Sequence, residues 1–309
     1  MIVGARSLDP AVGHRPRASF PTARAAFEAV LRAMGVGPGD RVLLPAYVGW
    51  SPREGSGVYD PVAAVGATGL FVRVDANLRV DVEDFARKVR QGPKIAVLVH
   101  YFGAPDPAYA EMAELARAAG VPILEDEAHA LLTDLVMGTT GRLGDGAIFS
   151  LHKQLPCLEG GELRVNAGAP PAFFAALERG GRAAGALDPA EYDLSLLAIR
   201  RSLNYAALHE ALRGQTGFRP LWNEHLVPCV PQSYPIVVES ANRDELYERF
   251  RAAGYGGTSL YHTMIPEITP EEFPDSHRLA RTIFNLPVHP DASPEQMRAM
   301  AGALLGMLR

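Results

Sequence analysis

The chain alternates short apolar runs with longer stretches in which apolar positions recur at helical spacing. Ala23–Met34 gathers Ala26, Phe27, Val30 and Leu31 on one face behind Thr22, a good capping residue, and predicts a helix. The turn-forming GVGPGD (35–40) ends it and leads into the apolar run Val42-Leu43-Leu44. Further on, the pattern predicts strands at Leu70–Val74, Ile95–Val99 and Pro122–Leu124, the last running out onto Glu125-Asp126. Helices are predicted between them at Val82–Val89 and Pro107–Ala119, and two more strands at Ala147–Ser150 and Glu162–Val165. Strands alternating in this way with helices describe an α/β sheet, mostly parallel.

The rhythm then changes. Ala172–Arg179 and Tyr192–Arg213 predict helices, and Trp222–Pro231 is irregular and punctuated by proline. Tyr234–Val238 (strand), Asp244–Ala253 (helix), Arg278–Phe284 (helix), Asn285-Leu286 (strand) and Pro294–Leu308 (helix, behind Ser293) predict a smaller α+β unit. The expected division is a large α/β domain over 1–213 and a small one over 214–309.

Composition adds exclusions. The 309 residues are 48% apolar and 21% charged, enough for a sizeable core. A net charge of −5 offers no general attraction to nucleic acid or an anionic membrane. The N-terminus lacks a signal-type apolar core, and no apolar run approaches membrane-spanning length, so a soluble cytoplasmic protein is expected. Cys157 and Cys229 form no disulfide framework, and no Cys/His spacing points to a metal. Only three of the 30 basic residues are lysine: Lys88, Lys94 and Lys153.

Ligands of open α/β sheets bind beyond the carboxyl ends of the strands. Three such places carry polar residues: Glu125-Asp126-Glu127-Ala128-His129, Ser150-Leu151-His152-Lys153, and the helix start Thr22-Ala23-Arg24, whose free amides suit a phosphate. Taken singly, they read as carboxylates at a helix N-terminus, a surface lysine and an ordinary cap. Together they offer an amine able to form a Schiff base, a carboxylate and an anion cradle, the set that pyridoxal 5′-phosphate (PLP) requires.

Five segments, in order, resemble the DegT/StrS-type aminotransferase family, PLP enzymes of fold type I. They are Gly39–Pro45 (GDRVLLP), Val99–Pro105 (VHYFGAP), Ile123–Ala130 (ILEDEAHA), Ile148–Gly161 (IFSLHKQLPCLEGG) and Asn285–Ser293 (NLPVHPDAS). Carried across by position, the resemblance implies that Lys153 is the Schiff-base lysine. It pairs Asp126 with the pyridine nitrogen, sets His129 beside the ring, and assigns the phosphate to Ser150 with the amides of Ala23 and Arg24. An aromatic stacking on the ring should follow Pro45, with Trp50 expected and Tyr47 in reserve. Glu159-Gly160-Gly161 shapes a turn, His100 and His289 are packing or capping residues, and Tyr261-His262 are candidates to line the site from the small domain.

The resemblance implies a homodimer that moves an amino group from glutamate or glutamine to a keto-sugar, cyclitol or nucleotide-linked keto-sugar. The departures are a Ser150–Lys153 spacing two residues tighter than usual, Ala23 where glycine is customary, and an unusual WSPREGSGVYDP loop (50–61). The family's Asn/Tyr/Arg strip is reduced to RRSLNY (200–205). These leave open a small non-sugar ketone as substrate, or a catalytically silent relative serving as a partner subunit.

Overall fold

The computed structural model describes residues 15–181, 188–222 and 228–308. Its first part runs β1 (Arg17–Phe20), α1 (Ala23–Ala33), β2 (Arg41–Pro45), α2 (Asp60–Ala64), β3 (Thr68–Val72), α3 (Val82–Val89) and β4 (Ile95–Val99). It continues through α4 (Tyr109–Ala118), β5 (Ile123–Asp126), β6 (Gly146–Ser150), β7 (Gly161–Val165) and α5 (Pro171–Glu178). The second part comprises α6 (Leu194–Leu212), β8 (Phe218–Pro220), β9 (Ser233–Val238), α7 (Arg243–Ala252), α8 (Pro274–Thr282), β10 (Ile283–Pro287) and α9 (Pro294–Leu308).

Seven strands form one sheet in the order β1-β7-β6-β5-β4-β2-β3. The five from β6 to β3 are mutually parallel, whereas β7 runs antiparallel to both β6 and β1. Strands buried on both faces read as continuous apolar runs, which is why IAVLV and its neighbours were legible. α1 covers one face through Ala26, Phe27, Val30 and Leu31, capped by the Thr22 hydroxyl, which accepts from the Ala25 N–H at 3.1 Å.

β8, β9 and β10 form a second, antiparallel sheet. Ala207, Leu208 and Leu212 of α6 join its core with Tyr234, Ile236, Phe250 and Leu304. One expectation needs correction. The predicted helix over Arg278–Phe284 is a helix only to Thr282; Ile283 and Phe284 pair with Val237 and Ile236, and this strand pairing overrides the helical period. β1, which the pattern did not predict, is edge strand RASF, registered Phe20 to Gly161. Residues 223–227 of the irregular stretch lie outside the described residues.

Candidate active site

Strand register brings the predicted groups to one edge. Val99 pairs with Asp126, Asp126 with Ile148, Ser150 with Gly161, and Gly161 with Phe20, so the ends of β4, β5, β6 and β1 lie side by side. At this edge the chain leaves β1 and enters α1. The helical hydrogen bonds begin with Ala26 N–H to the Thr22 carbonyl at 3.2 Å, leaving Ala23 and Arg24 N–H without intrahelical acceptors. Gly161 lets this helix start close: a Cβ there would reach within 2.5 Å of the Ala23 nitrogen. Ala23 stands within α1, where alanine fits as well as glycine. The Arg24 guanidinium turns away, donating to the Glu54 carbonyl at 2.7 Å and lying 3.2 Å from Asp60, and so fastens the 51–60 loop to α1.

Asp126 ends β5 and is buried, with Oδ1 accepting the Ala128 N–H at 2.8 Å. Burial pushes its carboxyl upward, opposed by the Ala128 N–H and the Lys153 charge. Leu151–Lys153 form one 3₁₀ turn directly after β6, which carries the half-buried Lys153 back over the sheet edge. Its Nζ lies 3.0 Å from His129 Nε2. Burial lowers the Lys153 pKa, partly offset by Asp126 and Glu54. His129 Nδ1 accepts the Phe102 N–H at 3.3 Å, so the neutral ring carries its proton on Nε2, facing the amine. Burial and the Lys153 charge hold the imidazole well below its ordinary pKa.

The other lysines are occupied elsewhere. Lys88 is buried, 3.1 Å from Asp84 and donating to the Phe71 carbonyl. Lys94 lies 3.7 Å from Asp40 at the surface. Among the described residues, Lys153 has no carboxylate within 4.0 Å. Ser150 is buried, and its Oγ lies 3.4 Å from His152 Nδ1.

Trp50, expected to stack on the ring, is 40% exposed and is not brought beside His129. Tyr47 is fully buried, and its hydroxyl accepts the Tyr261 N–H at 2.9 Å, so it serves the core. Sequence reasoning missed Phe102, whose ring stacks on His129 at 5.8 Å between centroids and whose backbone sits at φ 54°. A non-glycine residue in that region marks strain held by its surroundings. It also missed Gln154, which donates to the His129 carbonyl and accepts the Leu132 N–H, both at 2.9 Å. Glu125 is structural: it accepts from Tyr109, Gly141, Leu143 and Gly144 and lies 2.8 Å from His100 Nε2. Burial alone would raise its pKa, but His100 and these donors hold it down. His100 is thus a packed histidine, with Tyr109 edge-on to its ring.

Residues 6–188 match the DegT/DnrJ/EryC1/StrS aminotransferase family. The chain belongs to that family. Its members are PLP-dependent aminotransferases, and the mixed seven-stranded sheet with its helices is fold type I. Solved structures agree on the fold. A candidate sugar aminotransferase, Spr1654 of Streptococcus pneumoniae in its PMP form, superposes with a TM-score of 0.78 at 19% identity, covering 95% of this chain and 88% of that one. The aminotransferase TlmJ of Streptoalloteichus hindustanus gives 0.76 at 24% identity, with 94% and 85% covered. 3-Amino-5-hydroxybenzoic acid synthase gives 0.77 at 19%, with 94% and 86% covered.

The family's cofactor suits the residues present: free helix-start amides beside a buried serine, a buried carboxylate, and an amine whose pKa burial lowers. No described helix is long and apolar enough to cross a membrane.

The His129 environment predicts a pH effect on folding. Its folded pKa lies below the unfolded value near 6.5, so below that pH the unfolded chain binds a proton that the folded chain refuses. Stability should therefore fall by about 1.4 kcal/mol per pH unit on acidification from about pH 6.5. His129→Gln should remove that component. Urea titrations of both proteins between pH 5 and 7 read the difference; identical slopes would contradict it.

Proposed function

We propose that the protein transfers an amino group through PLP held by Lys153, passing it from glutamate or glutamine to a keto-sugar-type acceptor. The observation carrying this reading is the Lys153 amine, poised beside His129 on the same sheet edge as Asp126, Ser150 and the open start of α1. When bound, PLP supplies an electron sink for the carbanion formed as the donor's α-proton leaves.

This chain's residues do the rest. The Ala23 and Arg24 N–H groups and the Ser150 hydroxyl hold the phosphate dianion, helped by the dipole of α1. Asp126 keeps the pyridine nitrogen protonated, a charge-assisted contact worth roughly 1.5–3 kcal/mol. Lys153 is the residue that would hold the cofactor through its aldehyde, and its Nζ would carry a proton to and from the reacting carbons. Burial lowers the pKa of this amine, which makes the proton easier to give back. His129, uncharged, packs against the ring and orients the amine through Nε2–H.

The smaller acceptor stays in play for one reason. In the strip compared with the family's substrate-reaching residues, Asn204 donates to the His289 and Ala292 carbonyls, Arg201 donates to the Gln232 carbonyl, and Tyr205 packs on Tyr234. These side chains serve the second core. The 3-amino-5-hydroxybenzoic acid of one structural relative's name is a small non-sugar product, which fits that alternative. Converting the protein to its amine form with glutamate, then adding keto-sugars, cyclitol ketones and small keto-acids in turn, tests both readings. Recovery of the cofactor's visible band with a keto-sugar or cyclitol ketone supports the first; recovery with small ketones alone supports the second.

The proposed assembly is a homodimer in the cytoplasm. Leu196, Ile199 and Leu203, on one face of α6 and 43–57% exposed, are apolar surface that a second subunit would cover. The proposed second unit reaches back to the C-terminal half of α6, whose residues fill its core.

A further inference from the structure

Neither aromatic expected after Pro45 packs on His129 among the described residues: Trp50 is exposed and Tyr47 lies in the core. Between them stands Gly49. A Cβ built on Gly49 would land on the side chain of Tyr261, 2.5 Å from its Cβ and overlapping its ring at Cγ and Cδ1. Tyr261 thus occupies the volume that a residue-49 side chain would fill. Its ring faces His129 at 6.5 Å between centroids, with 27° between the planes. One aromatic ring slipped between two others needs about 7 Å, two layers of about 3.5 Å each. The His129–Tyr261 separation is therefore within an ångström of a one-ring slot, beside the Lys153 amine.

We propose that Tyr261, presented from the second part of the chain across the bare backbone of Gly49, is the aromatic that closes the cofactor ring against His129. This rests on the reading that PLP is held at Lys153. It goes further in making the cofactor site a joint product of both parts of the chain.

The segment carrying Tyr261 is fixed through its backbone. The Tyr47 hydroxyl accepts the Tyr261 N–H and lies 3.2 and 3.3 Å from the carbonyls of Leu260 and Tyr261. The Leu260 N–H donates to Asn285 Oδ1 at 3.0 Å, the Trp50 N–H to the Thr263 carbonyl at 3.0 Å, and the Ile265 N–H to the Val48 carbonyl at 3.1 Å. None of these bonds uses the Tyr261 ring, so truncating it leaves the anchorage in place. The exchange is reciprocal: glycine at 49 is what makes room for Tyr261, and an aromatic at 49 would need position 261 emptied.

Titration of the cofactor-free full chain with PLP, followed by the visible circular dichroism of the bound cofactor, reads this directly. Tyr261→Ala should weaken PLP binding about 10-fold and diminish the dichroic band. Tyr261→Phe, which keeps the ring, should stay within about threefold of wild type. Gly49→Phe alone should disrupt binding, and Gly49→Phe combined with Tyr261→Ala should regain most of it. Unaltered binding in Tyr261→Ala, or a loss that appears in Trp50→Ala instead, would overturn the inference while the Lys153 reading stands. A wild-type chain that takes up no PLP would overturn both.

Discussion

Replacing Lys153 with alanine is expected to cut aminotransferase turnover by about 10⁴-fold or more, because in the proposed function one residue would both hold the cofactor and move the proton. Lys153→Arg should do no better. A guanidinium keeps its charge at accessible pH, so it can neither attack an aldehyde nor accept the substrate proton. No other lysine can deputise: Lys88 is bound to Asp84 and the Phe71 carbonyl within the core, and Lys94 sits beside Asp40. Steady-state rates with far-UV circular dichroism as a folding control decide the matter. A Lys153→Arg protein that keeps more than a tenth of wild-type turnover would contradict the assignment.

Asp126→Asn comes next in size, with an expected loss of about 10²–10³-fold in turnover. Asparagine keeps the shape and can still accept the Ala128 N–H through its side-chain oxygen, so the change removes charge and little else. Without that charge residue 126 would no longer keep the pyridine nitrogen of bound PLP protonated, the role proposed for Asp126. Lys153 also loses the negative partner that supports its protonated form, so its already lowered pKa should fall further. The pH at which the cofactor-free protein begins to react with PLP should accordingly move down in Asp126→Asn. An upward move would show that Asp126 does not act on the amine in this way.

The elements read best were those with a clear hydrophobic period. β4, α3 and α9 coincide with their predicted limits, since a strand covered on both faces and an amphipathic helix each imprint their period directly. β1 carries no such imprint: RASF is exposed at one end and owes its conformation to pairing with β7. At α8 and β10 the helical period continues past the point where Ile283 is captured by Val237.

The site divides the same way. Asp126, Ser150 and Lys153 lie at or just after strand ends within short contiguous motifs, so their placement on one sheet edge could be read locally. Phe102 and Gln154 meet His129 through contacts that only the folded chain supplies. Tyr261 was a candidate to line the site, but its partnership with Gly49 is a fact of space: a missing side chain on one segment and a ring filling it from another.

The central claim is that Lys153 is the residue that carries the cofactor. Borohydride reduction of the PLP-loaded protein, followed by proteolysis and mass spectrometry, tests it most directly. The visible band should be lost and a stable phosphopyridoxyl group should appear on the peptide containing Lys153, with Lys88 and Lys94 unmodified. A phosphopyridoxyl group on either of those two, or none on Lys153 after the band has gone, would contradict it.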